Sequence, residues 1–332
     1  MKSSTIAFLA GAVALCGSVY AAEEAESEPA GEWNWAMGEG ISFNETPIVS
    51  AELSISWDSK YLSYGLVDNN DPIVTPGGWL TFFDWVTLGV SAIIDTTHYG
   101  TGAGYYNRRW FYQEVDPEIS LGHSFSPDDF SWLPTTVEFS IGYMYESHPR
   151  SFKGEDGDPY DNPDTQFATF EISLPDLWFE PAFQYERDIM RDQGTYLNLS
   201  IGHTFALIDG DTEEDDPVLT FRPSIGQGWG DRRRVSGYLS NVHHPAYEED
   251  EDGNLEATGD YEPLERNGLM DPCIKGEMTW NICSGIALSG YVAYYDYIFD
   301  RHLREGARVY EATGRYKESY NFVCGLALTA TF

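Results

Sequence analysis

The chain has 332 residues, 54 acidic against 19 basic, and a formal net charge of -35. That acid excess excludes a nucleic-acid partner, whose phosphates it would repel. The mean hydropathy is below zero, and no apolar stretch beyond residue 21 is long enough for a transmembrane helix. A membrane barrel remains open, because there only alternate residues of each roughly ten-residue span meet lipid and average hydropathy stays low. The aromatic content of 15% suits such a barrel, since Tyr and Trp rings favour the two membrane interfaces.

In chain order, residues 1–21 carry Lys2, an apolar stretch over 6–15, and Val19 and Ala21 at the minus-three and minus-one positions of a cleavage site. This is the layout of a secretory signal peptide, removed before folding. Leu15 before Cys16 is too large for a lipidation site. Residues 22–40, with Glu23, Glu24, Glu26 and Glu28, read as a flexible acidic segment ahead of a single domain over 41–332.

From there, two-residue alternation bounded by turn residues predicts twelve strands. They fall near 50–64, 73–83, 85–95, 111–125, 135–147, 165–174, 179–188, 195–206, 217–227, 270–281, 284–297 and 319–332. The second is interrupted by Pro76, Gly77 and Gly78. Connections after odd strands include long ones at 98–110, 147–164, 228–269 and 298–318; those after even strands are mostly short, at 84, 175–178 and 281–284, with 126–134 and 209–216 longer than a tight turn. Long outer loops alternating with short periplasmic turns, and an even strand count, are the asymmetry of an outer-membrane barrel. The stretch ISLGHSF at 119–125 recurs as LSIGHTF at 199–205, and more faintly as FSIGY at 139–143, with both His copies at the predicted periplasmic edge.

The last strand alternates without a break. Tyr320, Phe322, Cys324, Leu326, Leu328, Ala330 and Phe332 form one face; Asn321, Val323, Gly325, Ala327, Thr329 and Thr331 form the other. An amphipathic C-terminal strand ending in Phe resembles the closing strand of Gram-negative outer-membrane barrels, which implies that Phe332 is an assembly signal read by the barrel assembly machinery. At the other end, the stretch 57–72, WDSKYLSYGLVDNNDP, with the strand pair ending near Asp95, resembles the opening of the TorF-type porin family. The resemblance covers the first strands and the closing strand, and Tyr64 stands where that family usually has Arg before Gly65. It implies a small outer-membrane barrel and transfers no catalytic residue or cofactor.

Function is expected in the lumen. With Leu53, Ile55 and Trp57 toward lipid, Glu52, Asp58 and Lys60 point inward; the same register puts Asp116, Glu118, Glu138, Glu171, Glu180, Glu186 and Glu277 inside, against Arg222 and Lys275. Acid outnumbers base, so an open conduit prefers cations. The alternative is a closed interior in which these carboxylates pair with the few cations, since twelve strands lie between side-chain-filled and open barrels, and a one-residue slip would reverse any strand. The outer loops carry acidic patches at 155–164 and 248–253; Asp156, Asp158, Asp161 and Asp164 are hard oxygen donors, but without the twelve-residue calcium-loop spacing. Arg232, Arg233 and Arg234 break the acidic trend, positioned either for lipopolysaccharide phosphate or to fold back into the acidic lumen as a plug.

Enzymatic chemistry has little to stand on. In the pairs His123-Ser124 and His203-Thr204, alternation sends the two side chains to opposite faces, and interface-belt residues are the better account. His243 and His244 lack a third nearby ligand, and neither a GxSxG elbow nor an HExxH motif is present. The expectation is therefore an all-β, up-and-down transmembrane barrel of the outer membrane acting as a cation-preferring porin, with lipids and lipopolysaccharide as its surroundings. A closed adhesive or structural barrel is the alternative, and a lipid-modifying enzyme the third.

Overall fold

The computed structural model describes residues 41–43, 46–69, 72–96, 111–147, 152–153, 159–160, 164–210, 217–239, 247–249, 255–257, 266–304 and 320–332. The expected signal peptide and acidic segment lie outside these residues, as do Asp156, Asp158, Asp161, His243 and His244. The wall consists of β1 (Thr46–Asp58), β2 (Ile73–Phe82), β3 (Val86–Asp95), β4 (Phe111–Phe125), β5 (Val137–Glu146) and β6 (Thr165–Ser173), followed by β7 (Ala182–Asp188), β8 (Thr195–Gly202), β9 (Leu219–Gly230), β10 (Gly268–Cys283), β11 (Ile286–Asp296) and β12 (Tyr320–Thr331). Each pairs antiparallel with its sequence neighbours, and β1 pairs with both β2 and β12, so the sheet closes on itself. Short strands at Ile41–Phe43 and Phe205–Ile208 extend it at β1 and β9.

Closure satisfies the edge groups that lipid cannot. At the seam, Phe332 N–H donates to the Ala51 carbonyl at 2.8 Å and Ala51 N–H donates back at 3.1 Å. The alternation expected for the last strand is present: Phe322 and Leu326 are 58% and 54% exposed, while Asn321 and Val323 are buried. Leu53, Leu88, Ile119, Ile141, Leu199, Ile225, Ile274 and Val292 carry the same exposed apolar face around the wall, an outward band of the kind that meets acyl chains in a transmembrane barrel.

Turns at one end are tight. Phe83 and Asp84, with φ of 55° and 56°, reverse the chain between β2 and β3, and Gly285, at 74°, reverses it between β10 and β11. The repeated GH motif has a shared structural role at this end. His123 stacks on Trp85 at 4.2 Å and His203 on Trp178 at 4.9 Å, with Phe125 and Phe205 edge-on to the respective imidazoles. Both clusters form part of an aromatic rim.

Several boundaries differ from the sequence reading, for local reasons. The first strand ends at Asp58 instead of 64: the chain bends at Ser59 and Lys60 and makes a separate hairpin, Tyr61–Ser63 with Leu66–Asn69, turning at Tyr64 (φ 48°) and Gly65 (φ 77°). The apolar residues change parity there, from Leu53, Ile55 and Trp57 to Leu62, Tyr64 and Leu66. The seventh strand begins at Ala182, because Glu180 is left-handed (φ 36°) and Pro181 has no N–H to donate. The eighth stops at Gly202 and resumes at Phe205 against β9. Opposite Gly226 and Gly228, β10 bulges at Asp271 and Pro272, and Gln227 Nε2 donates to the Gly228 and Met270 carbonyls at 2.6 and 2.7 Å. Cys273, Cys283 and Cys324 form no disulfide among the described residues.

Candidate functional site: the barrel interior

The hairpin after β1 crosses the barrel. At one side the Tyr61 hydroxyl donates to both Glu114 oxygens on β4, at 3.3 and 3.2 Å. At the other, the Tyr64 hydroxyl donates to Glu186 on β7, which is diametrically opposite β1 in the strand order. Between these contacts the Gly65 carbonyl accepts from Asn321 Nδ2 at 2.8 Å, and the Tyr64 carbonyl accepts from the Tyr297 hydroxyl. Gly65 needs to be glycine on two counts: its left-handed backbone, and a Cβ that would sit 2.8 Å from that of Asp271.

A second element meets the hairpin from the loop after β9. Asp231 caps helix α1 (Arg232–Leu239), its carboxylate accepting from Arg234 N–H at 2.9 Å. The helix drives Arg234 and Val235 inward, both fully buried. The Arg234 guanidinium pairs with Glu186 at 3.0 Å and Asp192 at 3.4 Å, and lies over the rings of Tyr64 and Phe167, 4.9 and 5.4 Å from their centroids. Of the two dispositions open to the arginine triplet, Arg234 takes the inward one, whereas Arg232 and Arg233 are exposed and Arg233 donates to Gln193 at 3.2 Å. Leu66, Tyr196, Val235, Met270, Tyr297 and Leu303 close an apolar cluster around it, with Tyr64 packed against them. Tyr196 also donates to Asp271 at 3.0 Å. Asp192 lies in the β7–β8 loop, where burial raises its carboxyl despite the opposing pull of Arg234. The loop-side end is thus packed with side chains.

The turn-side end is roomier. A cavity of about 300 Å³ is lined by Glu138, Ser140, Glu171, Ser173, Gln184 and Asn198, among others, and both Glu138 and Glu171 are exposed. Glu138 accepts from Ser173 at 2.8 Å, and Glu171 stands opposite Ser140 and Gln184. Nearby on β4, Glu118 accepts from the Trp79 indole, while Asp116 is buried opposite Ser91.

The remaining sequence candidates sort into pairs. Glu52 is opposite Trp79; Asp58 accepts from Tyr291 at 2.5 Å and from Ser56 at 3.3 Å; Lys60 is in the bend beyond β1. Lys275 pairs with Glu277 and lies 4.8 Å from the Tyr291 ring, and Glu277 is also opposite Arg222. Arg222 bonds Glu180 at 2.8 Å, and the Thr204 N–H donates to the same carboxylate at 2.5 Å. Glu180 is a rim residue of the turn before β7, not a strand residue as expected. Burial pushes its carboxyl up, but the Arg222 and Thr204 bonds outweigh that and hold it below the usual carboxylate range. Asp164 accepts from Tyr145 at 2.5 Å, and among the described residues no group of three or more His, Cys, Asp or Glu is arranged to hold a metal ion.

No protein-family model matches the chain. No curated protein matches it either. Solved structures do: it is similar to the COG4313 outer membrane channel from Pseudomonas putida F1, at 8% identity and a TM-score of 0.46, covering 88% of this chain and 100% of that one. It is also similar to Pseudomonas putida OprB (9%, TM-score 0.31, 81% and 61% covered) and Pseudomonas aeruginosa OccK11 (10%, TM-score 0.32, 87% and 68% covered).

Residues that the sequence reading missed are those of the packed end: Tyr64, Tyr196, Asp192, Asp271 and Tyr297. They come from separate loops and strands, and their convergence depends on the hairpin turning inward. One signal was present. Gly226, Gly228 and Gly230 alternate on a single strand, and a Cβ on Gly228 would meet Asp271 and Tyr196, while one on Gly230 would meet Met270 and Val235; repeated glycine on one face marks close approach.

Proposed function

We propose that the protein is a passive outer-membrane conduit for small solutes, with a preference for cations, reached by signal-directed export. The observation that carries this reading is the exposed pair Glu138 and Glu171 on the turn-side cavity, with no cation paired to either among the described contacts. The bases that face the same wall are already engaged, Arg222 by Glu180 and Lys275 by Glu277. An uncompensated carboxylate lining in a narrow low-dielectric tube raises the local cation concentration. The packed loop-side end makes the conduit gated at its outer mouth, and the membrane lipids and lipopolysaccharide bear on its apolar face.

Single-channel recording in planar bilayers tests this. Stepwise conductance from the folded barrel is expected, and lysine at positions 118, 138 and 171, through Glu118→Lys, Glu138→Lys and Glu171→Lys, reduces cation preference. A correctly folded barrel that passes no current sinks the reading. It would favour the second one, a closed structural or adhesive barrel, for which the hairpin lying across the lumen speaks.

A further inference from the structure

The surroundings of Arg234 make a site in their own right. Two carboxylates, Glu186 from β7 and Asp192 from the β7–β8 loop, lie at 3.0 and 3.4 Å from the guanidinium, and its Cζ stands over two aromatic rings, Tyr64 from the hairpin and Phe167 from β6. Tyr64 holds Glu186 by a hydrogen bond and meets Tyr196 edge-to-face at 4.7 Å, which fixes the orientation of the cage. A carboxylate pair together with aromatic faces at cation–π distance suits a flat, weakly hydrated organic cation. A small metal ion fits poorly, because rings are not ligands and dehydration of such an ion is costly. The occupant is supplied by the chain itself, on a helix whose neighbour Val235 anchors it in the apolar cluster.

We infer that this cage is a recognition site for guanidinium and alkylammonium cations, filled by Arg234 as a tethered ligand in the closed mouth and open to a cationic solute when α1 withdraws. The inference rests on the reading of the barrel as a cation conduit, and it adds the chemical class of solute and the point at which that solute is read. Tethering gives Arg234 an effective concentration on the order of millimolar or higher, so a free cation competes weakly against the intact protein and binds readily once Arg234 is removed.

The test uses full-length folded protein in detergent, at constant ionic strength, titrated with methylguanidinium against sodium while the barrel unfolding temperature is followed. For Arg234→Ala, the unfolding temperature is expected to rise saturably, by about 2 °C at ten times the half-saturating concentration, with sodium inert. The wild type, its cage filled, and the Arg234→Ala/Glu186→Gln double variant show no such rise. Equal responses to sodium and methylguanidinium, or a response undiminished by Glu186→Gln, would overturn the site. Should Arg234→Ala not fold, Arg234→Met carries the same titration, because its apolar side chain fills volume without bonding the Glu186 or Asp192 carboxylate. The readout needs no current: saturable binding by a barrel that never conducts would refute the conduit and keep the cage, whereas a conducting barrel whose variants ignore methylguanidinium would refute the cage alone.

Discussion

Substituting Gly65 by alanine acts on the crossing hairpin and leaves the wall intact. The left-handed backbone at this position costs an L-residue about 1–2 kcal/mol, and the new Cβ would stand 2.8 Å from the Asp271 Cβ, an overpacking that costs about 1–3 kcal/mol. Together these weaken hairpin seating by about 2–5 kcal/mol, which at 1.36 kcal/mol per decade shifts the seated-to-unseated ratio by about 30- to 5000-fold. Gly65 takes no part in the backbone pairing of β1 with β2 or β12, and its one bond to a wall residue comes from the Asn321 side chain, so Gly65→Ala should migrate as a folded, heat-modifiable barrel on a gel. In planar bilayers it should show a larger open fraction or a larger unitary conductance than the wild type. Equal conductance from two equally folded proteins would refute the idea that the hairpin closes the mouth.

Two other perturbations probe the rim and the seam. Glu180, outside the strands, has its carboxyl held low by Arg222 and Thr204 in spite of burial; its contribution is present above the unfolded value of about 4.3 and is lost as pH falls through the folded one. Arg222→Ala should therefore move the Glu180 titration midpoint upward in side-chain NMR of micelle-bound protein, and an unmoved midpoint contradicts the pairing. Deleting Phe332 removes both seam bonds to Ala51 and the terminal aromatic; the yield of heat-modifiable barrel in membrane fractions should fall severalfold, and an unchanged yield shows that neither the bonds nor the end residue governs closure.

How much was legible follows from the kind of signal each part carries. The wall could be read because lipid imposes a strict period on every strand, so that Phe322 and Leu326 against Asn321 and Val323 declare two faces by themselves. The GH repeat was readable as an edge element, and its structural meaning, an imidazole stacked on a turn Trp, required only that Trp85 and Trp178 lie in the adjacent turns. The mouth was not readable. Residues 61–64 read as the end of the first strand, yet Tyr64 and Gly65 adopt left-handed backbone and turn the segment into the lumen; a local pattern cannot distinguish a strand that stays in the wall from a hairpin that leaves it. Arg234 stood out by charge, but its partners Glu186, Asp192, Tyr64 and Phe167 are assembled from four separate elements.

An acid-lined path for cations should give the reconstituted protein, in a tenfold KCl gradient, a zero-current potential of the sign set by potassium permeation. That potential should shrink when Glu138→Lys and Glu171→Lys are combined. A potential of zero, one of the chloride sign, or one that those two charge reversals leave unchanged, contradicts such a path.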